Sequence, residues 1–150
     1  MPHMRQRIVE AFENKIGSIE GLPEGSIVHS LAPVRLKSDQ PVIFVIPETE
    51  TVVSERDDIN APRLWEREVR ILVIIAMANT LQTNRFVLED WAQKVEEKLA
   101  EDLTFDGLVY YTDLFTYQLE FEEGQYKPKQ MIIAYNVGYV TLATDVGVSI

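Results

Sequence analysis

Apolar residues recur at helical spacing in two stretches of this chain and alternate with polar ones over most of the rest. From Pro2 to Ile16 the positions Ile8, Val9, Phe12 and Ile16 form one stripe, with Arg5, Arg7, Glu10, Glu13 and Asn14 on the other side, which predicts an amphipathic helix stopped by Gly17. Ser18 to Ser26 holds Gly21, Pro23 and Gly25 and reads as a loop. Ile27 to Leu36 is strand-like but interrupted by Pro33, as suits an edge or bulged strand, because proline donates nothing to a ladder. Val42 to Ile46 is apolar throughout and lies between Pro41 and Pro47, the pattern of a short strand covered on both faces.

Residues 48–62 carry Glu48, Glu50, Glu55, Asp57 and Asp58 and are expected to form an acidic hairpin arm or a mobile loop. From Leu64 the positions Trp65, Arg67, Val69, Ile71, Val73, Ile75 and Met77 share one face of a strand. Its first half alternates and its second half does not, which predicts a strand that is buried on both faces at its end and protrudes at its start. A second helix follows, capped by Thr83 or Asn84, with the stripe Leu88, Trp91, Ala92, Val95 and Leu99. Glu89 and Asp90 early and Lys94 and Lys98 late complement its dipole, and Asp90 with Lys94 is spaced for an ion pair. Beyond Asp106-Gly107, the residues Val109, Tyr111, Phe115, Tyr117, Leu119 and Phe121 alternate with polar ones as a half-buried strand. Gly124 to Pro128 supply a turn, and Met131, Ile133, Tyr135, Val137 and Tyr139 mark one face of a last strand. Residues 143–150 read as a C-terminal tail.

These elements place the chain in the α+β class. The order is helix, three strands, helix, two strands, with a mixed or antiparallel sheet packed against two helices and a protruding β-hairpin arm. At 150 residues the whole of 1–150 fits one domain, which can bury roughly 70% of its unfolded surface. Hydrophobic residues make up 46% and charged residues 25%, a globular balance. Cysteine is absent, which removes disulfides, thiolate metal sites and thiol nucleophiles. Met1 opens no apolar signal stretch, and the longest apolar run, Ile71 to Ala78, is far short of the roughly 20 residues a membrane helix needs, so a soluble protein is expected.

The net charge is −10, spread along the chain, and this disfavours gripping nucleic acid through phosphates. An acidic wall would instead let DNA slide past without sticking, and it also serves solubility. The two histidines, His3 and His29, have no partner at ligand spacing, and Asp57-Asp58 lacks the spaced oxygens and turn glycine of a calcium loop. No phosphate loop, GxSxG elbow or GxGxxG is present. No metal or cofactor is therefore expected, and no catalysis. The many aromatics on the strands lack the interleaved Lys and Arg of a base-stacking sheet and are assigned to packing. Trp65, where the acidic stretch meets a strand, is a candidate interface anchor alongside a core role.

The run "WAQKVEEKLAEDLTFDGLVYYTDL" resembles the tail terminator proteins of long-tailed bacteriophages, the group related to minor tail protein U, and the likeness extends from "RQRIVEAFENKIGSI" onward. It is carried by Leu99 to Asp102, Gly107 to Val109, Gly124 to Pro128 and Tyr135 to Tyr139, all structural positions. The resemblance implies a hexameric ring that docks on the last ring of the tail tube and ends tail polymerisation. Such a ring offers a surface to the head-completion connector and lets DNA pass through without specific binding. It would sit at the head-proximal end of the virion tail, after assembly in the host cytoplasm. A ring needs a heterologous contact that closes, and a strand edge paired with a neighbour provides one. Residues 48–62 and the strand Leu64 to Arg70 are the candidate contact, with Glu50, Arg56, Asp57, Asp58, Arg63, Trp65 and Arg67 as oligomer or tube interface residues. The alternatives are another neck or tail-completion subunit of the same architecture, or a small α+β enzyme or ligand-binding regulator in which His29, Asp113 or Asp57-Asp58 converge on a pocket.

Overall fold

The computed structural model describes residues 3–29, 40–56, 64–77, 85–121, 128–142 and 145–149. Helix α1 spans Met4–Gly17, and His3 is its N-cap: the Nδ1 atom accepts a hydrogen bond from the Arg5 amide at 3.1 Å. Strand β1 (Val42–Arg56) pairs antiparallel with β2 (Leu64–Ala76), helix α2 spans Arg85–Ala100, and β3 (Tyr111–Phe121), β4 (Pro128–Leu142) and β5 (Asp145–Ser149) follow. The sheet runs β1-β2-β4-β3 with β5 attached to β4, every named pair antiparallel. The α+β class and the packing of one sheet against two helices are as expected.

Both helices lie on one face of the sheet. Met4, Ile8, Phe12 and Ile16 of α1 and Leu88, Ala92, Val95 and Leu99 of α2 are fully buried against Val69, Ile71, Val73 and Ile75 of β2 and against Met131, Ile133 and Val137 of β4. Phe12 sits at the centre, its ring 4.9 Å from Phe105 and 5.7 Å from Tyr135. The other face carries half-buried Phe44, Ile46, Leu72, Ile74 and Ile132 and a polar group at the opposite end of the strands, Glu66, Glu68, Arg70 and Asn136.

Several expectations are corrected. Among the described residues, the run from Ile27 contributes one parallel bridge, Ile27 with Ile43, rather than a named strand; its continuation at 30–36 lies outside them. Pro47 does not end a strand. The Ile43 amide donates to the Ser26 carbonyl and the Ile43 carbonyl accepts from Val28, so the backbone groups of Ile43, and of Val45 and Pro47 by alternation, point away from β2. A proline there costs no bond to β2, and β1 runs on to Arg56, bulged between Pro47 and Thr49 and again between Val52 and Ser54. Residues 48–56 are therefore strand, and 57–62 lie outside the described residues. Leu64 to Arg70 does not protrude with a free edge: β2 is flanked over its full length by β1 on one side and β4 on the other. Within the stretch read as a tail, Asp145–Ser149 is a strand; it is too short for its alternation to stand out. Lys94 reaches the face of Trp91, with Nζ 4.4 Å from the ring centroid, instead of pairing with Asp90, since a cation over an indole is worth as much as an exposed ion pair. The helix-capping candidates Thr83 and Asn84 lie outside the described residues.

The phrase after α2 is a turn held by one carboxylate. Asp102 accepts from the amide of Asp106 at 2.7 Å, the amide of Thr104 at 3.2 Å and the Thr104 hydroxyl at 3.0 Å. Those donors, the Asp106 amide foremost, hold its pKa below the ordinary value. Phe105, Asp106 and Gly107 then take left-handed backbone at φ 49°, 59° and 84°, a conformation disfavoured for Phe and offset here by packing of its ring on Phe12.

Candidate functional site

Three of the residues singled out in the sequence meet at one end of the sheet. The register sets Glu50 opposite Val69, Val52 opposite Arg67 and Trp65 opposite Thr141, so Glu50, Trp65 and Arg67 share the helix-facing side of β1, β2 and β4. Arg67 donates from Nε to Thr141 Oγ1 at 3.1 Å and from Nη1 to Glu50 Oε2 at 3.4 Å, and its guanidinium lies 4.9 Å from the Trp65 ring centroid. Arg5 of α1 approaches the same carboxylate oxygen at 3.6 Å. The side chains of Glu50 and Arg67 are each only 11% exposed. This cluster ties α1 to the far end of the β1/β2 hairpin from within the subunit, so Glu50 and Arg67 brace that end more than they present it. Glu50 Oε1 and Trp65 Nε1 are buried with no hydrogen-bond partner among the described residues. Arg56 closes β1 opposite Leu64, while Asp57, Asp58 and Arg63 lie outside the described residues.

The strand margins offer more than the cluster does. On β3 six consecutive residues, Asp113 to Gln118, are exposed, and they include Leu114, Phe115 and Tyr117. The strand was expected to bury Tyr111, Phe115, Tyr117 and Leu119 on one face. A bulge inserts Phe115 between Leu114, opposite Tyr135, and Thr116, opposite Ala134; Tyr111 and Phe115 consequently fall on the helix-free face while Tyr117 and Leu119 fall on the other. Arg70 reaches across β4 to Phe115, its guanidinium 4.1 Å from the ring centroid, and donates to Asn136 Oδ1 at 3.3 Å. At the opposite margin, Pro47, Glu48, Thr49, Thr51 and Val52 of β1 are exposed.

Tyr111 is the best anchored residue of β3. Its ring lies over Gly138 of β4, where a Cβ would stand 2.0 Å from Tyr111 Cε1, and its hydroxyl donates to Glu68 Oε2 at 2.5 Å. Burial, and then the Glu68 carboxylate, push its pKa up to about 12. Burial raises Tyr117 as well, with Glu89 and Glu96 of α2 adding to it, and drives Tyr135 still higher.

A cleft of about 650 Å³ lies between α1 and the outer side of β1. Gln6, Glu10, Glu13, His29, Phe44 and Ile46 are among its lining residues. His29 Nδ1 lies 2.7 Å from Glu13 Oε2, the imidazole well exposed and the carboxylate 9% exposed. Sequence reasoning placed Glu13 on the solvent side of α1 and so missed this pair; only its position one residue after Phe12, on the flank of the apolar stripe, hinted at it. Asp113 does not join His29, since β3 and β1 are opposite margins of the sheet. Among the described residues no three acidic or histidine side chains are grouped to hold a metal ion, and no helix is long and apolar enough to cross a membrane.

Compared with known proteins, the chain matches no family model and no curated protein.

Proposed function

We propose that this chain is a structural protein of a long-tailed phage or prophage, a tail terminator-like subunit. It would associate with copies of itself into a ring on the end of the tail tube, stop tube growth and offer the head connector its docking surface, acting without catalytic turnover. The observation that carries the reading is the outer strand β3, which no described residue pairs with on its far side and which is exposed over Asp113 to Gln118. It has no Lys or Pro and presents three large apolar side chains. Proteins that remain single blunt such edges with charge, proline, bulges or cover; this one has the bulge at Phe115 and the carboxylate of Asp113 but leaves its large apolar side chains open, which fits a subunit made to be joined. The resemblance of the α2 sequence and its sequel to tail terminators supplies the biological setting. The acidic balance, −10 overall, suits a ring through which DNA moves.

Light scattering and electron microscopy across protein concentration, with and without polymerising tail tube protein, test the reading. The expected result is rings, or monomers that become rings on tube ends and shorten the tubes. A monomer at every concentration that leaves tube length unchanged overturns it. Another neck subunit would form rings that bind the connector and ignore the tube.

A second reading, a small ligand-binding or hydrolytic domain, draws on the α1/β1 cleft and its His29–Glu13 pair, where a carboxylate orients an imidazole as in general-base sites. Under it, His29→Ala and Glu13→Gln abolish a measurable binding or turnover while ring formation is absent.

A further inference from the structure

Resting on the assembly reading, we infer that β3 of one copy pairs with the second half of β1, from Glu48 to Arg56, of the next copy, so that the sheets join head to tail. Chain direction permits it. Along β1-β2-β4-β3 each strand runs opposite to its neighbour, so β1 and β3 run in opposite directions and β3 meets the next β1 antiparallel, the better-paired arrangement. The β1 edge is long enough to take the β3 edge whole: Asp113 to Gln118 spans about 20 Å and Glu48 to Arg56 about 30 Å at ~3.4 Å per residue. The first half of β1 is already engaged, since Ser26 and Val28 pair with Ile43 and Pro47 offers no donor. Beyond Pro47, no described residue pairs with the outer edge, and Thr49, Thr51 and Val52 are exposed.

Area argues for a second copy in a closed ring and against an isolated dimer. Leu114, Phe115 and Tyr117 are 45%, 51% and 42% exposed. With ~150–250 Å² for a whole aromatic side chain, they present roughly 300 Å² of apolar surface, against about 800 Å² per partner in a standard interface. One such joint is weak; in a closed ring every subunit makes two, and each supports the other. Carboxylates flank both margins, Glu89, Glu96 and Asp113 beside β3 and Glu10, Glu13 and Glu48 beside β1, and outnumber the cations there, Arg70 over Phe115 and Arg56 at the end of β1. Joining is thus opposed at low ionic strength and favoured as salt screens these acids.

Complementation tests it on the full chain. Phe115→Glu spoils the β3 edge and Val52→Glu the β1 edge, both at exposed sites that leave the fold intact. Each variant alone is expected to stay monomeric where the native chain forms rings, and their mixture to give a weak dimer, populated only at high protein concentration, and nothing larger, because one sound edge survives on each. With no native cysteine, Thr116→Cys with Thr51→Cys in one chain is expected to form a covalent ladder on oxidation that neither single change gives. Rings formed normally by both variants, or a covalent dimer from Thr116→Cys alone, overturn the inference and leave the assembly reading standing. A native chain that never assembles, with or without tube protein, overturns both.

Discussion

Strands β4 and β3 lie side by side in one antiparallel ladder bulged at Phe115, yet one is sealed and the other is exposed. The helix-facing side chains of β4, from Met131 to Tyr139, are at most 3% exposed, whereas β3 leaves six residues in a row open. Both are rich in aromatic and β-branched residues, so strand propensity does not separate them. What separates them is position: β4 has β2 on one side and β3 on the other, and the helices pack against it, while among the described residues β3 has a neighbour on one side only. Alternation along a strand reports which way a side chain points. It does not report whether anything waits there to cover it.

The contrast is broken most severely from the sealed side. Phe12→Ala removes a ring packed on Tyr135 and Phe105 and is expected to destabilise the fold by about 3–5 kcal/mol, seen as a lower chemical denaturation midpoint. Next comes the join between the two strands. Gly138→Ala places a Cβ against the Tyr111 ring and is expected to cost about 1–3 kcal/mol; the same measurement in a Tyr111→Ala background should recover part of it. On the bare side, Leu114→Ser should change stability by no more than about 0.5 kcal/mol. A loss comparable to Gly138→Ala would show that β3 is covered within the subunit.

The smallest effect concerns alkaline pH. The Tyr111 phenol is raised from 10.0 to about 12 in the folded protein, so the folded state resists its ionisation. The stability this represents is fully present below pH 10 and is lost as pH rises towards 12. Thermal midpoints of the native chain and of Tyr111→Phe should therefore converge over that interval. Parallel curves would mean that the Tyr111 hydroxyl is not held in its half-buried place against Glu68 in solution.

The sequence made the helices and central strands legible because their apolar runs are long: Ile8, Phe12 and Ile16 leave one face of α1 to choose, and Ile71 through Ile75 are apolar without a break. It was misleading wherever one residue changes the local count. The bulge at Phe115 carries Tyr111 and Phe115 to the face opposite the one their spacing implied, and Pro47 reads as a stop although its nitrogen faces away from β2. Of the candidate site, the convergence of Glu50, Trp65 and Arg67 was foreseeable from a hairpin folding back on itself. Their burial was not, because it depends on Arg5 and Thr141, which are distant in the chain. The His29–Glu13 contact has the same origin, a separation of sixteen residues bridged by α1 lying beside β1.

The seating of Tyr111 in the notch left by Gly138 has a dynamic consequence. It fastens β3 at its first residue, by ring and hydroxyl together, while the bulge at Phe115 interrupts the ladder only a few positions later. Opening should begin at the far end of the strand and halt near that irregularity, so amide exchange would quicken stepwise from Thr112 to Glu120 and not uniformly. A neighbour that grips the loose end would slow those amides first.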